Sequence, residues 1–220
     1  MTILYLIRHS VKYSRFDYES FNAKDDKDLK DEKSILSVIG EKRAEILCNK
    51  SEFDNVDIIY TSNMVRSMAT GKYLANRLNK QLNIDERLNE RRYGKQNSDS
   101  FPDWYERQYM YEDFKTEGGE SQKDVRSRMD EVLNEILSKH QNKVIAVFSH
   151  GYAITFYLLK YCKLIDVTHE RKLTFKYKNK IILDKILNSP EVFKLTFDDK
   201  ELKNIELLEY EDIPYIFSGQ

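Results

Sequence analysis

The sequence is poor in residues that break or staple a chain. Of its 220 residues only 7 are glycine and 3 proline, too few for a collagen-like, loop-dominated or disordered protein. Its two cysteines, Cys48 and Cys162, cannot build a disulfide framework and have no metal-ligand spacing; both lie in apolar surroundings and read as buried thiols. Neither sign of charge dominates: 36 Lys and Arg stand against 37 Asp and Glu, a formal net charge of -1. Bulk charge therefore gives no reason to expect nucleic acid or a membrane as partner, and any anion site must be local. No apolar run approaches membrane-spanning length, and the N-terminal apolar stretch meets Arg8 and His9 too early for a signal peptide, so a cytoplasmic protein is expected.

What remains is 40% hydrophobic and 12% aromatic, enough to bury the core of one domain covering residues 1–220. Ile3 to Ile7 is a continuous apolar run that ends in a charged cluster, as a buried strand feeding a site loop does. Val56 to Ser62 and Lys143 to His150 repeat the pattern. Between them, apolar residues at three-and-four spacing predict helices over Ser34 to Leu47, Met64 to Leu78, Gln122 to His140 and from Gly151 through Leu158. Ser121 and Asp124 read as the cap of the third. This alternation predicts an α/β fold: a mostly parallel central sheet between two helical layers. Tyr13 to Lys33 is charge-dense and aperiodic, which predicts a solvated loop, whereas the aromatic-rich stretch Asn97 to Gly119 predicts a packed subdomain or a lid. From Lys160 to Lys180, interleaved lysines and apolar residues are read as a solvated helical face with snorkelling side chains.

Three strand ends carry cationic or imidazole residues: Arg8 and His9 after the first, Arg66 just beyond another, His150 after a third. Open α/β sheets place their sites in the crevice beyond the carboxyl ends of the strands. Phosphoryl transfer needs a positioned nucleophile and dense positive charge around three oxygens, which an imidazole and two guanidinium forks supply. The four histidines lack close ligand spacing, so neither metal nor cofactor is expected. Glu90 is the candidate general acid, since a carboxyl in an apolar pocket titrates nearer neutrality. Glu86 is its rival, and a surface pairing of Glu90 with Arg87, Arg91 or Arg92 is the structural alternative.

These residues fall into a pattern that resembles the histidine phosphatase superfamily, the phosphoglycerate-mutase-like enzymes. Leu6-Ile7-Arg8-His9-Ser10 is similar to its opening Leu-x-Arg-His-Gly, and Leu36-Ser37-Val38-Ile39-Gly40 to its Leu-Thr-x-x-Gly. Ser62, Arg66 and Thr70 match its Ser-x-x-x-Arg-x-x-x-Thr, Glu90 with Tyr93-Gly94 its acid segment, Gly118-Gly119-Glu120-Ser121 its Gly-Gly-Glu-Ser, and Ser149-His150-Gly151 its second histidine. The resemblance covers Ile3 to about Thr155 and implies a three-layer α/β/α sandwich of the phosphoglycerate-mutase type. It implies further that His9 becomes phosphorylated, that Arg8, Arg66 and His150 bind the phosphoryl group, and that Glu90 moves the proton. Ser10 stands where the family usually has glycine and its hydroxyl can add a donor; Lys12 and Arg15 add positive charge at two further positions of the phosphate loop. The expected partner is a small phosphorylated substrate or inorganic phosphate, with a homodimer left open.

Three functions fit the pattern. A metal-independent phosphatase is favoured over a phosphoglycerate mutase, because the mutases carry a longer insertion before Gly-Glu-Ser and a different segment after the final His-Gly. A degenerate phosphate-binding module is the third reading, against which stand the intact histidine and both arginines.

Overall fold

The computed structural model describes residues 1–13, 31–95 and 103–216. Its centre is a six-stranded sheet in the order β3-β2-β4-β1-β8-β9, built from β1 (Thr2–Arg8), β2 (Ile58–Thr61), β3 (Leu82–Ile84), β4 (Val144–Ser149), β8 (Val192–Asp198) and β9 (Glu201–Leu208). The first four pair in parallel, while β8 runs antiparallel to β1 and β9 antiparallel to β8.

Alternation along β1 shows why both faces are covered. Tyr5 and Ile7 point into a core with Leu47 and Cys48 of α1 (Val38–Cys48) and Leu74 of α2 (Val65–Leu78). Leu4 and Leu6 point into the opposite core with Val125, Met129 and Leu133 of α4 (Gln122–Lys139) and Ile154 and Phe156 of α5 (Gly151–Leu158). The expected three layers are therefore present, with β1, β2 and β4 where the apolar runs predict them. Both cysteines are buried in these cores, and burial pushes each thiol up to about 12.

Two helix starts explain themselves locally. Ser121 and Asp124 form a reciprocal capping box at α4, as the sequence suggests. The helix expected from Ser34 begins only at Val38: Leu36 bridges to Lys12 in extended form, and Ser37 caps Gly40 N–H at 3.0 Å. Gly40 is obligatory there, because a Cβ would lie 2.0 Å from the Val11 carbonyl oxygen.

The reading of Lys160 to Lys180 as a helical face is overturned. That stretch forms β5 (Lys163–Val167) and β6 (Leu173–Tyr177), which with β7 (Lys180–Lys185) make a separate antiparallel sheet. Along a strand side chains alternate with period two, not three to four: Leu173 and Phe175 share one face of β6 and are buried, while Lys180 at the start of β7 is exposed. Most of the expected loop at Tyr13 to Lys33 lies outside the described residues. Of the aromatic stretch, α3 (Trp104–Met110) packs Tyr105 and Tyr109 against Tyr152 and Phe156 of α5. Among the described residues no helix is long and apolar enough to cross a membrane.

Candidate active site

Register brings the functional side chains together. Arg8 is opposite Ser149 and Thr61 is opposite Phe148, so β1, β4 and β2 end side by side and deliver His9, His150 and Ser62 to one edge. The strand ladders continue one residue further, with His9 N–H donating to Ser149 O at 2.9 Å and Ser62 N–H to Phe148 O at 3.1 Å. The rings of His9 and His150 lie 5.1 Å apart between centroids.

His9 is buried, and two hydrogen bonds of opposite sense define its protonation. Nδ1 lies 2.7 Å from the Ser10 carbonyl, which can only accept, so Nδ1 carries the proton. Nε2 accepts from Arg66 Nε at 3.1 Å and therefore presents its lone pair. Burial and the charges of Arg66 and Arg8 hold the His9 pKa well below 6.5, so the neutral, nucleophilic form prevails.

The motif Ser62, Arg66, Thr70 divides its labour. Ser62 Oγ accepts from Met64 N–H and lies 2.8 Å from His150 Nε2. With Ser62 as donor, the proton of neutral His150 sits on Nδ1, which has no partner among the described residues. Burial, then Arg66, keeps the pKa of His150 low as well. Thr70 Oγ1 accepts from Ser10 N–H at 3.0 Å and donates to Arg66 O at 2.8 Å. Ser10 is fully buried, its Oγ without a partner among the described residues. Arg8 is in the same condition: Nη1 donates to the Leu187 and Asn188 carbonyls, and Nε bonds to nothing described. Arg66 turns its other two nitrogens to Asp31, Nη1 to the backbone carbonyl and Nη2 to the carboxylate at 3.1 Å.

Glu90 is buried, which removes the surface pairing, while its rival Glu86 is exposed. Its Oε1 accepts from the N–H groups of Arg91 (2.9 Å) and Ala153 (3.1 Å), and Oε2 from Tyr152 at 3.3 Å. The carboxyl thus sits at the N-terminus of α5, where amide donors favour the anion. Burial outweighs them and raises its pKa. Glu120 and Arg128 clamp this segment: Glu120 accepts from Arg92 N–H at 2.9 Å, and Arg128 donates to the carbonyls of Arg87, Asn89 and Glu90. Gly119 lets Tyr93 approach, since a Cβ would stand 2.9 Å from its carbonyl oxygen. Tyr93 and Tyr105 stack edgewise or tilted on Tyr152 beside Glu90. Arg15 lies outside the described residues.

A model of the histidine phosphatase superfamily (branch 1) matches residues 4–183. The chain belongs to that superfamily. Phosphoserine phosphatase 1 of Hydrogenobacter thermophilus is 27% identical over 153 residues, 66% of this chain and 71% of the relative. Among solved structures, the phosphoserine phosphatase of Entamoeba histolytica in complex with 3-phosphoglyceric acid aligns with a TM-score of 0.65 at 18% identity, over 97% of this chain and 100% of that one. A mycobacterial glucosyl-3-phosphoglycerate phosphatase in complex with VO3 gives 0.64 at 16% identity, over 94% and 98%. At such identities the structural likeness speaks for the fold, while the family match covers the site itself.

For this histidine phosphatase superfamily member, sequence reasoning missed three sets of site neighbours. Asp31 lies in a stretch with no periodicity to mark it. Arg128 sits on the polar side of a helix and is indistinguishable there from a solvated arginine. The Leu187–Glu191 segment that bonds Arg8 is distant in sequence and bears no motif.

Proposed function

We propose that this chain hydrolyses phosphomonoesters through a phosphohistidine formed on His9. The observation that carries the reading is the His9 Nε2 lone pair, bonded by Arg66, together with buried polar atoms that have no partner among the described residues: Arg8 Nε, Ser10 Oγ and His150 Nδ1. Buried donors left unpaired are costly, and a tetrahedral anion satisfies all of them at once.

The lone pair attacks phosphorus while the ester P–O bond breaks, and the leaving alkoxide takes the proton of Glu90. Arg8, Arg66, Ser10 and His150 bond the equatorial oxygens, where charge accumulates. For Arg66 this means exchanging Asp31 for substrate. Water then attacks the phosphohistidine, the Glu90 carboxylate takes its proton, the P–N bond breaks and inorganic phosphate leaves. The raised pKa of Glu90 suits a group that must first give a proton and then take one. The relatives described above are named as phosphatases, which supports hydrolysis over transfer to a second substrate hydroxyl. A substrate ester and free phosphate are the ligands this pocket would take, and the Tyr93, Tyr105 and Tyr152 rings beside Glu90 suit the wall that meets the leaving group.

His9→Ala tests the reading. Phosphate release from p-nitrophenyl phosphate should disappear, together with the acid-labile phosphoprotein trapped by rapid quench. Equal turnover in wild type and variant would remove the nucleophile; rapid isomerisation of 3-phosphoglycerate with little free phosphate would make the chain a mutase.

A further inference from the structure

Arg8 enters the site already committed on one side. Both bonds from Nη1 go to backbone carbonyls, Leu187 O and Asn188 O, each at 3.0 Å, and Nε has no partner among the described residues. Carbonyl oxygens fix a guanidinium only if the backbone that bears them is itself fixed. The segment from Leu187 to Val192 is buried, and a surface groove of about 440 Å³, lined by Asn188, Pro190 and Glu191 together with Tyr210 and Ile213, runs along it.

Polar bonds add the angular constraint. Arg43, buried on α1, donates from Nε to Ser189 O at 2.8 Å and from Nη2 to Asn188 Oδ1 at 2.9 Å. The Asn188 side chain also accepts from Ser189 N–H (2.9 Å) and donates to Ile213 O (3.1 Å), so it ties the segment to the chain beyond β9. Glu191 closes the loop: its Oε2 accepts from Asn188 N–H at 2.8 Å, and its carbonyl accepts from Arg8 N–H at 2.8 Å. Among the described residues Arg43 makes no ion pair, and its bonds go to neutral oxygens. Such an arginine is a poor way to stabilise a core, where an apolar side chain of similar volume serves better. It is a good way to hold two adjacent residues at one angle, because the guanidinium fork is planar.

We propose that Arg43, Asn188 and Glu191 are positioning residues for Arg8. They set the plane of its guanidinium so that Nε and Nη2 face the phosphoryl oxygens. This inference rests on the anion-binding role given to Arg8 in the proposed function.

A double-mutant cycle tests it, with kcat/KM for p-nitrophenyl phosphate and inhibition by vanadate as readouts. Misplacing a reacting group by about 1 Å costs on the order of 100-fold, so Arg43→Met should lower kcat/KM by about that factor and weaken vanadate in parallel. In the Arg8→Ala background the same substitution should change either quantity less than about twofold. Arg43→Lys, which keeps the charge but not the fork, should fall between. A merely structural arginine would cost the same factor in both backgrounds, and that result overturns the proposal. If Arg43→Met does not fold, as judged by circular dichroism, the Arg43→Lys cycle decides. If wild type releases no phosphate, the enzymatic reading fails by itself, and the cycle is then run on the affinity for inorganic phosphate by calorimetry. There, coupling between residues 43 and 8 still supports positioning, and additivity refutes it.

Discussion

Asp31→Asn should make this protein bind its phosphorylated ligand more tightly. Arg66 is almost fully buried, and its Nη2 pairs with the Asp31 carboxylate at 3.1 Å while Nη1 meets the Asp31 carbonyl. A phosphoryl group using the same guanidinium must displace that carboxylate, and the cost of displacement appears in KM. A charge-assisted hydrogen bond contributes about 1.5–3 kcal/mol when desolvated, but the Asp31 side chain is 24% exposed, which lowers the pair toward about 1 kcal/mol. The asparagine keeps the backbone carbonyl and the side-chain shape and removes the charge. KM for p-nitrophenyl phosphate should therefore fall by roughly fivefold to tenfold, with kcat changed much less.

A second readout comes from Glu90, whose pKa is raised first by burial and also by the Asp31 charge. Without that charge the carboxyl deprotonates at lower pH, so the alkaline limb of the rate profile should move in the acid direction. Steady-state kinetics across the near-neutral range, with vanadate inhibition measured in parallel, give both numbers. An unchanged or raised KM would show that Asp31 orients Arg66 for the substrate and does not compete with it.

Glu90→Gln should separate substrates by their leaving groups. A proton donor contributes roughly 100-fold or more to expulsion of an alkoxide and far less to expulsion of nitrophenolate, so alkyl phosphates should lose most. Equal losses on both would assign Glu90 to capping α5 alone. Stability should fall on acidification, beginning near pH 6.5. His9 and His150 have folded pKa values below the 6.5 of the unfolded chain, so the unfolded state binds more protons as pH drops through that value. Each contributes up to about 1.4 kcal/mol per pH unit until its folded pKa is reached. Glu90 and Glu191 act oppositely, since their raised values favour the folded state while they remain protonated. Urea unfolding compared at about pH 7 and about pH 5.5 should show the loss, and a His9→Asn, His150→Asn variant should flatten it. A His9→Asn, His150→Asn variant that keeps the dependence of its parent over that interval would show that the two rings do not carry it.

The parts of this fold that were legible are those whose surroundings leave one pattern. Strands β1, β2 and β4 are covered on both faces, so they read as unbroken apolar runs, and the site residues follow them directly. The sheet β5-β6-β7 presents one side to solvent, and the lysines at Lys163, Lys176 and Lys180 dilute its period-two signal until it resembles a lysine-bearing helix. Strands β8 and β9 are hidden for a related reason: Lys194 and Lys203 interrupt them, and β8 pairs antiparallel to β1, outside the strand-helix alternation. Within the site, His9, Arg66, His150 and Glu90 were found because each lies in a short motif. Asp31 and Arg43 were not, because their importance is a long-range contact; Arg43 and Asn188 are 145 positions apart.

The spacing of Ser62, Arg66 and Thr70 gains a physical meaning from these contacts. Arg66 and Thr70 stand one turn apart on α2, while Ser62 follows the end of β2 and precedes the helix. The three touch different groups: His150 through Ser62, His9 through Arg66 and the Ser10 amide through Thr70. A shift of α2 by one residue would advance it about 1.5 Å and turn it by roughly a quarter, which breaks the Arg66 and Thr70 contacts together. The pocket is thus set by the register of one helix against the ends of two strands. The same helix begins without an acidic residue or a side-chain cap and instead carries Arg66 in its first turn, against the direction of its dipole. Placing a cation there is favourable only when an anion arrives to share it, and Asp31 and a phosphoryl group are the two that can.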